Sequence, residues 1–190
     1  MNKYNLIHET TLYSLNLILD AGHLLRSSKT QQILEVKGQG SKNRKLATDP
    51  RVSLNTSNFY EFYDEVDGVY MRLQKKSDTV KSQFLECVLL FSTNILNKHS
   101  FVINTEENFG FLINEEGLVS ESQFSGEPGF SITSVNNIHL LENSNFSSNE
   151  VVITDDVSIA HLRTIFFIVY PPIQIITKLE HLRITFYNIT

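Results

Sequence analysis

Apolar and polar positions alternate between two periods along this chain. Residues 4–8 (Tyr-Asn-Leu-Ile-His) read as a short apolar strand. Leu12, Leu15, Ile18 and Leu19 then fall on one helical face. Thr10 or Thr11 precedes them as a hydroxyl cap, and Gly22 follows as a natural stop. Residues 26–58 lose the periodicity: Gly38, Gly40, Pro50 and many Ser, Asn and Lys predict a long polar loop or an irregular region. An aromatic cluster follows (Phe59, Tyr60, Phe62, Tyr63), and Asp67-Gly68 predicts a turn into a strand over 69–73.

Residues 84–93 read as a buried strand and 101–103 as another short one. Residues 104–149 are rich in loop formers. A new strand is expected from 148 to 153, a turn or short helix over 157–162, and last strands at 165–170 and 184–187. Residues 165–176 form the most apolar stretch, which Pro171-Pro172 interrupts. It is too short to span a bilayer as a helix and reads as a buried strand ending at the prolines. One early amphipathic helix followed mainly by strands and long loops predicts an α+β fold, with a largely antiparallel sheet in a single domain over residues 1–190.

Composition narrows the function. The chain has 190 residues, 41% hydrophobic and 19% charged, enough to bury a core. The net charge of -5 and pI near 5.7 argue against a generic basic nucleic-acid coat. Residues 37–51 are nonetheless locally basic (Lys37, Lys42, Arg44, Lys45, Arg51), with Asp49 as the nearest acid. The one cysteine, Cys87, rules out an intramolecular disulfide and a Cys-rich zinc site, and its apolar setting predicts a buried thiol. His99, His139, His161 and His181 lack metal-ligand spacing, and neither a nucleophile elbow nor a phosphate loop is present. The polar N-terminus does not read as a signal peptide, so a cytoplasmic protein without a membrane anchor is expected.

Three segments, in order, carry a resemblance. The first is Ile7-His8-Glu9-Thr10-Thr11 running into Leu12, Leu19 and Gly22. The second is Gly68-Val69-Tyr70-Met71. The third is Asn149-Glu150-Val151-Val152-Ile153, followed by Val157-Ser158-Ile159 and Ile165. Together they resemble the ADP-ribosyltransferase superfamily, in its His-x-Thr strand and following helix, its Gly-Val-Tyr strand, and its late strand opening on a glutamate. Within it the chain most resembles the DarT-type enzymes, which modify bases in single-stranded DNA.

The resemblance implies a split sheet, NAD as co-substrate, and a single-stranded nucleic acid or a protein as acceptor. It implies that Glu150 is catalytic, holding the ribose 2′-hydroxyl, stabilising the developing cation and taking the acceptor's proton. It implies that His8 bonds an adenosine ribose hydroxyl and that Thr10 sits beside the nicotinamide amide. A loop arginine, Arg51 or Arg44, would bind the diphosphate or lower the acceptor's pKa. Tyr63 and Tyr70 would stack on nicotinamide or on a target base. Residues 126–129 would lie in a substrate loop. Ser148 stands where arginine-modifying members carry Gln or Glu, which argues against an arginine acceptor.

Each residue also has a plain structural reading: Thr10 as a helix cap, His8 as a strand-end residue, Glu150 as a solvated strand-edge carboxylate. The arginines would then be solvated loop charges, the tyrosines core residues and 126–129 a surface turn. The corresponding alternative for the whole chain is a non-catalytic binding or structural domain on the same fold, with a degraded NAD site.

Overall fold

A computed structural model describes residues 3–36, 46–47, 65–80, 85–104, 111–113, 119–122, 131–143 and 150–189. Among these, three α-helices accompany a mostly antiparallel sheet, an α+β architecture as expected.

The chain opens with β1 (Tyr4–Thr10) and α1 (Leu12–Ala21). Local chemistry sets both ends of α1. Thr11 is the cap, accepting from the Ser14 amide at 3.1 Å. A Glu86 carboxylate oxygen accepts from the Leu12 amide at 2.7 Å, satisfying a further first-turn donor. Gly22 ends the helix with φ 73°, and its amide donates to the Ile18 carbonyl at 2.9 Å. Leu15 and Leu19 are buried, with Leu12 and Ile18 packed beside them. Of the two threonines, Thr10 is therefore not the cap. It is the buried last residue of β1.

After β2 (His23–Leu24) comes a second helix, α2 (Ser27–Val36), inside the stretch read from sequence as irregular. Its start is held by distant residues. The Asp67 carboxylate accepts from the Ser28 amide and hydroxyl, both at 2.8 Å, and the Gly68 carbonyl accepts from the Ser27 amide at 3.1 Å. The Asp156 carboxylate accepts from the Arg26 amide at 3.1 Å and pairs with Lys29. A cap supplied from turns far along the chain leaves no local signature.

The remaining elements are β3 (Leu46–Ala47), β4 (Glu65–Val66), β5 (Val69–Lys75), β6 (Cys87–Ser92), β7 (Phe101–Asn104), β8 (Phe111–Ile113), β9 (Val119–Ser122), β10 (Ser131–Ile132), β11 (Glu150–Ile153), β12 (Val157–Ser158), β13 (Leu162–Phe167), α3 (Ile173–His181) and β14 (Thr185–Asn188). Short 3-10 turns span Thr93–Asn97, Val135–Asn143 and Ile159–His161. The apolar stretch 165–176 thus splits. Its strand ends at Phe167, and its second half is the helix α3, with Pro172 at the cap position. Proline suits a helix start, where no amide donor is needed. Lys178 ties α3 to α1 through Asn16 at 2.8 Å and through Asp20.

The main sheet has the order β10-β7-β11-β5-β1-β6-β13-β14, antiparallel throughout except for β13 and β14. One face packs a core of Leu6, Met71, Leu89, Phe91, Val151, Ile165 and Phe167 against Leu15 and Leu19 of α1 and Ile175 and Leu179 of α3. The ladder between β1 and β5 runs from Tyr4–Lys75 to Ile7–Arg72, whereas β1 stays paired with β6 as far as Thr10–Cys87. The sheet therefore splits between β1 and β5 from His8 onward, with β11 held on the β5 side over Glu150–Ile153. No described helix is long and apolar enough to cross a membrane.

Candidate functional site

The split falls where β1 reaches the His-x-Thr segment. His8 bridges it: Nδ1 donates to the Tyr70 carbonyl at 2.8 Å, a side-chain bond just beyond the last ladder pair. A carbonyl only accepts, so Nδ1 carries the hydrogen and Nε2 of the neutral ring is an acceptor. Burial holds the His8 pKa below its ordinary value, against the opposing pull of the Tyr70 carbonyl and the Glu9 charge. The ring is thus neutral at pH 7 and suited to a hydroxyl donor.

Tyr70 and Glu150 sit on the two strands next in order. Val152 on β11 faces Tyr70 on β5, and Glu150, the first residue of β11, faces Arg72. Cross-strand partners share a face, so Tyr70, Arg72, Glu150 and Val152 project from one side of the sheet. Glu9 does too, being two residues beyond Ile7, which is paired with Arg72. Arg72 Nη2 donates to Glu9 Oε1 at 2.9 Å. The Tyr70 hydroxyl donates to the Val66 carbonyl at 3.0 Å and accepts from the Val66 amide at 2.9 Å. Its ring packs on Val66, Val102 and Val152.

Gly68 sets the spacing behind this group. A Cβ there would lie 2.6 Å from Val152 Cγ1 and 2.7 Å from the Ile153 carbonyl oxygen. The turn into β5 can approach β11 this closely because the residue has no side chain.

His8 and Thr10 alternate onto the helix-covered face, in register with Leu89 and Cys87 of β6. The structure therefore brings His8, Tyr70 and Glu150 onto three neighbouring strands at the split, but from two faces. Thr10 is buried, and its carbonyl accepts from the Cys87 thiol at 3.2 Å. That thiol is pushed up to about 12, chiefly by burial and also by the Glu86 charge, as its buried structural setting requires. Arg44, Arg51, Tyr63, Ser148 and residues 126–129 lie outside the described residues. Among the described residues, no group of three or more His, Cys, Asp and Glu is arranged to hold a metal ion.

Two charged residues escaped the sequence reading: Arg72, across from Glu150, and Glu9, bonded to Arg72. The alternation Tyr70, Arg72, Gln74 between the apolar Val69, Met71 and Leu73 already placed Arg72 on the face of Tyr70. Its pairing with Glu9 and its register with Glu150 depend on strand order.

A model of a protein family matches residues 3–169. The chain belongs to DUF5863, a family of unknown function. This DUF5863 chain is 36% identical over 168 residues to uncharacterized protein 422L of Invertebrate iridescent virus 6, covering 86% of this chain and 84% of that protein. The structure of DarT from Thermus sp. 2.9 in complex with carba-NAD+ superposes with a TM-score of 0.51, over 98% of this chain and 95% of that one, at 12% identity. The DUF5863 chain thus shares its fold with DarT, at an identity that speaks for the fold alone.

Proposed function

We propose that this chain is an NAD-dependent mono-ADP-ribosyltransferase, moving ADP-ribose from NAD to a base of single-stranded DNA or to a protein side chain. The observation that carries the reading is the split of the sheet at His8, with the His-x-Thr, Gly-Val-Tyr and glutamate-first strands side by side as β1, β5 and β11. The fold shared with DarT, whose structure was determined with carba-NAD+, supports it.

In this reading the bond between nicotinamide and ribose C1′ breaks. Nicotinamide leaves with the bonding electrons, and C1′ becomes an oxocarbenium-like centre. Glu150 holds the ribose 2′-hydroxyl and stabilises that charge, since a fixed carboxylate in a partly dry cleft acts more strongly than one in water. The acceptor's nucleophile bonds to C1′, and its proton passes to Glu150. His8 Nε2 accepts from an adenosine ribose hydroxyl, Thr10 lies beside the nicotinamide amide, and the Tyr70 ring stacks on nicotinamide or the target base. Arg44 or Arg51 and Tyr63 complete the set, at the diphosphate and at a ring. The locally basic residues 37–51 favour a nucleic-acid acceptor over a protein one.

The test is nicotinamide release from NAD, with labelled transfer to single-stranded oligonucleotides and to lysate proteins. Glu150→Gln is expected to lower release at least 1000-fold, about 4 kcal/mol of transition-state stabilisation, with a cooperative melting transition retained. Full activity in that variant overturns the assignment of Glu150.

A second reading, NAD binding or a structural role without turnover, draws on two observations. The Tyr70 hydroxyl is committed to Val66, and the His8 ring alternates onto the face away from Glu150. Thermal stabilisation by NAD without nicotinamide release would favour binding alone. Neither effect would leave the structural role.

A further inference from the structure

β5 lies between β1 and β11, and Arg72 is the point where all three are in register. It stands across from Ile7 on one side and from Glu150 on the other. Such cross-strand side chains have Cβ atoms about 4.5–5.5 Å apart, well within the reach of a guanidinium. On the β1 side that guanidinium already bonds Glu9 at 2.9 Å. The pair is largely sheltered, with side chains 28% and 17% exposed. One arginine therefore stands between two strands that carry a carboxylate on its face: Glu9, bonded to it, and Glu150, across from it in register.

We infer that Arg72 is the positioning residue of Glu150 and that Glu9 holds Arg72 in place. The inference rests on the transferase reading for its catalytic meaning. Arginine suits the role because its planar fork offers five donors in fixed directions. A bond from Nη2 to Glu9 leaves the other donors of the fork available. Arg72 holds the Glu150 carboxylate in one orientation while the ribose becomes cationic. An isolated guanidinium there would also repel that cation. Glu9 offsets its charge, so the trio faces the sugar with a net charge of -1. The residue between His8 and Thr10, unassigned by motif, thereby gains a function: it neutralises the arginine that aims the catalytic carboxylate.

Two measurements on the full chain test this. The first is steady-state nicotinamide release from NAD. Arg72→Gln is expected to lower kcat about 10- to 100-fold, the cost of a misplaced catalytic group, while KM changes less than about threefold. Arg72→Lys, which keeps the charge, recovers part of that loss. Glu9→Gln lowers kcat less than Arg72→Gln does. The second is a double-mutant cycle in melting temperature between Arg72→Gln and Glu150→Gln, which needs no activity. The double variant is expected to lose less than the sum of the singles.

Additive melting losses, or wild-type kcat in Arg72→Gln, overturn the inference while leaving the transferase reading intact. A chain that releases no nicotinamide overturns the transferase reading and the catalytic part of the inference. The melting cycle then decides separately whether Arg72 and Glu150 interact.

Discussion

The two faces of the central strands are built from alternate residues of the same segments, yet they differ in kind. On the face under α1 and α3, Leu6, Met71, Leu89, Phe91, Val151 and Ile165 are buried against Leu15, Leu19, Ile175 and Leu179. On the other, Tyr70 packs in a small cluster of Val66, Val102 and Val152, and Glu9, Arg72 and Glu150 stand beside it. The first face binds the strands to the helices through non-directional apolar contact. The second depends on charge and register. A strand can serve both purposes because its side chains alternate, and a slip of one residue would exchange the two roles. The exception is His8, which belongs to the helix-covered face by alternation but reaches the split through its ring nitrogen.

This contrast can be broken at its strongest point first. Phe91→Ala empties a fully buried site on the helix-covered face and is expected to cost about 3–5 kcal/mol in urea unfolding. Glu9→Gln on the charged face should cost about 1 kcal/mol or less, because partly exposed pairs contribute little to stability. If the two losses are equal, the division of labour between the faces is wrong.

Gly68→Ala ranks next. The added methyl meets Val152 and the Ile153 carbonyl at sub-contact distances, so about 1–3 kcal/mol of stability is expected to go. Because the strain falls between β5 and β11, nicotinamide release should fall with it.

Thr11→Ala removes the α1 cap and should cost about 1 kcal/mol. The same substitution at Thr10 removes no cap, so a coincident loss at both sites would sharpen the case for Thr10 as a packing residue.

The smallest effect is a pH dependence. The folded state lowers the His8 pKa, so the unfolded chain binds the proton more readily. Stability from this group is complete above the unfolded value of about 6.5 and declines as pH falls below it. Melting temperature should drop from pH 7.5 to 5.5, and less steeply in His8→Gln. His161, also lowered by burial and by nearby Lys98 and His99, contributes in the same direction.

The early helix was legible because its signals are local: Thr11, the apolar face and Gly22 lie within a few turns of one another. The helix α2 was not, since Asp67, Gly68 and Asp156 supply its anchoring from far along the chain. In the stretch 165–176 the expected strand before the prolines forms, ending at Phe167, and only the helix after them was missed. Short apolar runs fit a buried strand and a buried helix equally well, and packing of Ile175 and Leu179 on the core made the second half helical. The candidate site divides in the same way. His8, Tyr70 and Glu150 stood out through motifs on single strands. Arg72 and Glu9 did not, because their meaning lies in the pairing between strands.

Sequence alone determined what each segment can be: which positions are apolar, which strand carries histidine, tyrosine or glutamate, where α1 starts and stops. These depend on contacts within a few residues. Tertiary structure decided which strands are neighbours, where the ladder between β1 and β5 ends, and that Arg72 lies across from Glu150 and bonded to Glu9. Lateral order and register are set by how all the strands and helices jointly bury one face of the sheet. No local pattern contains that balance.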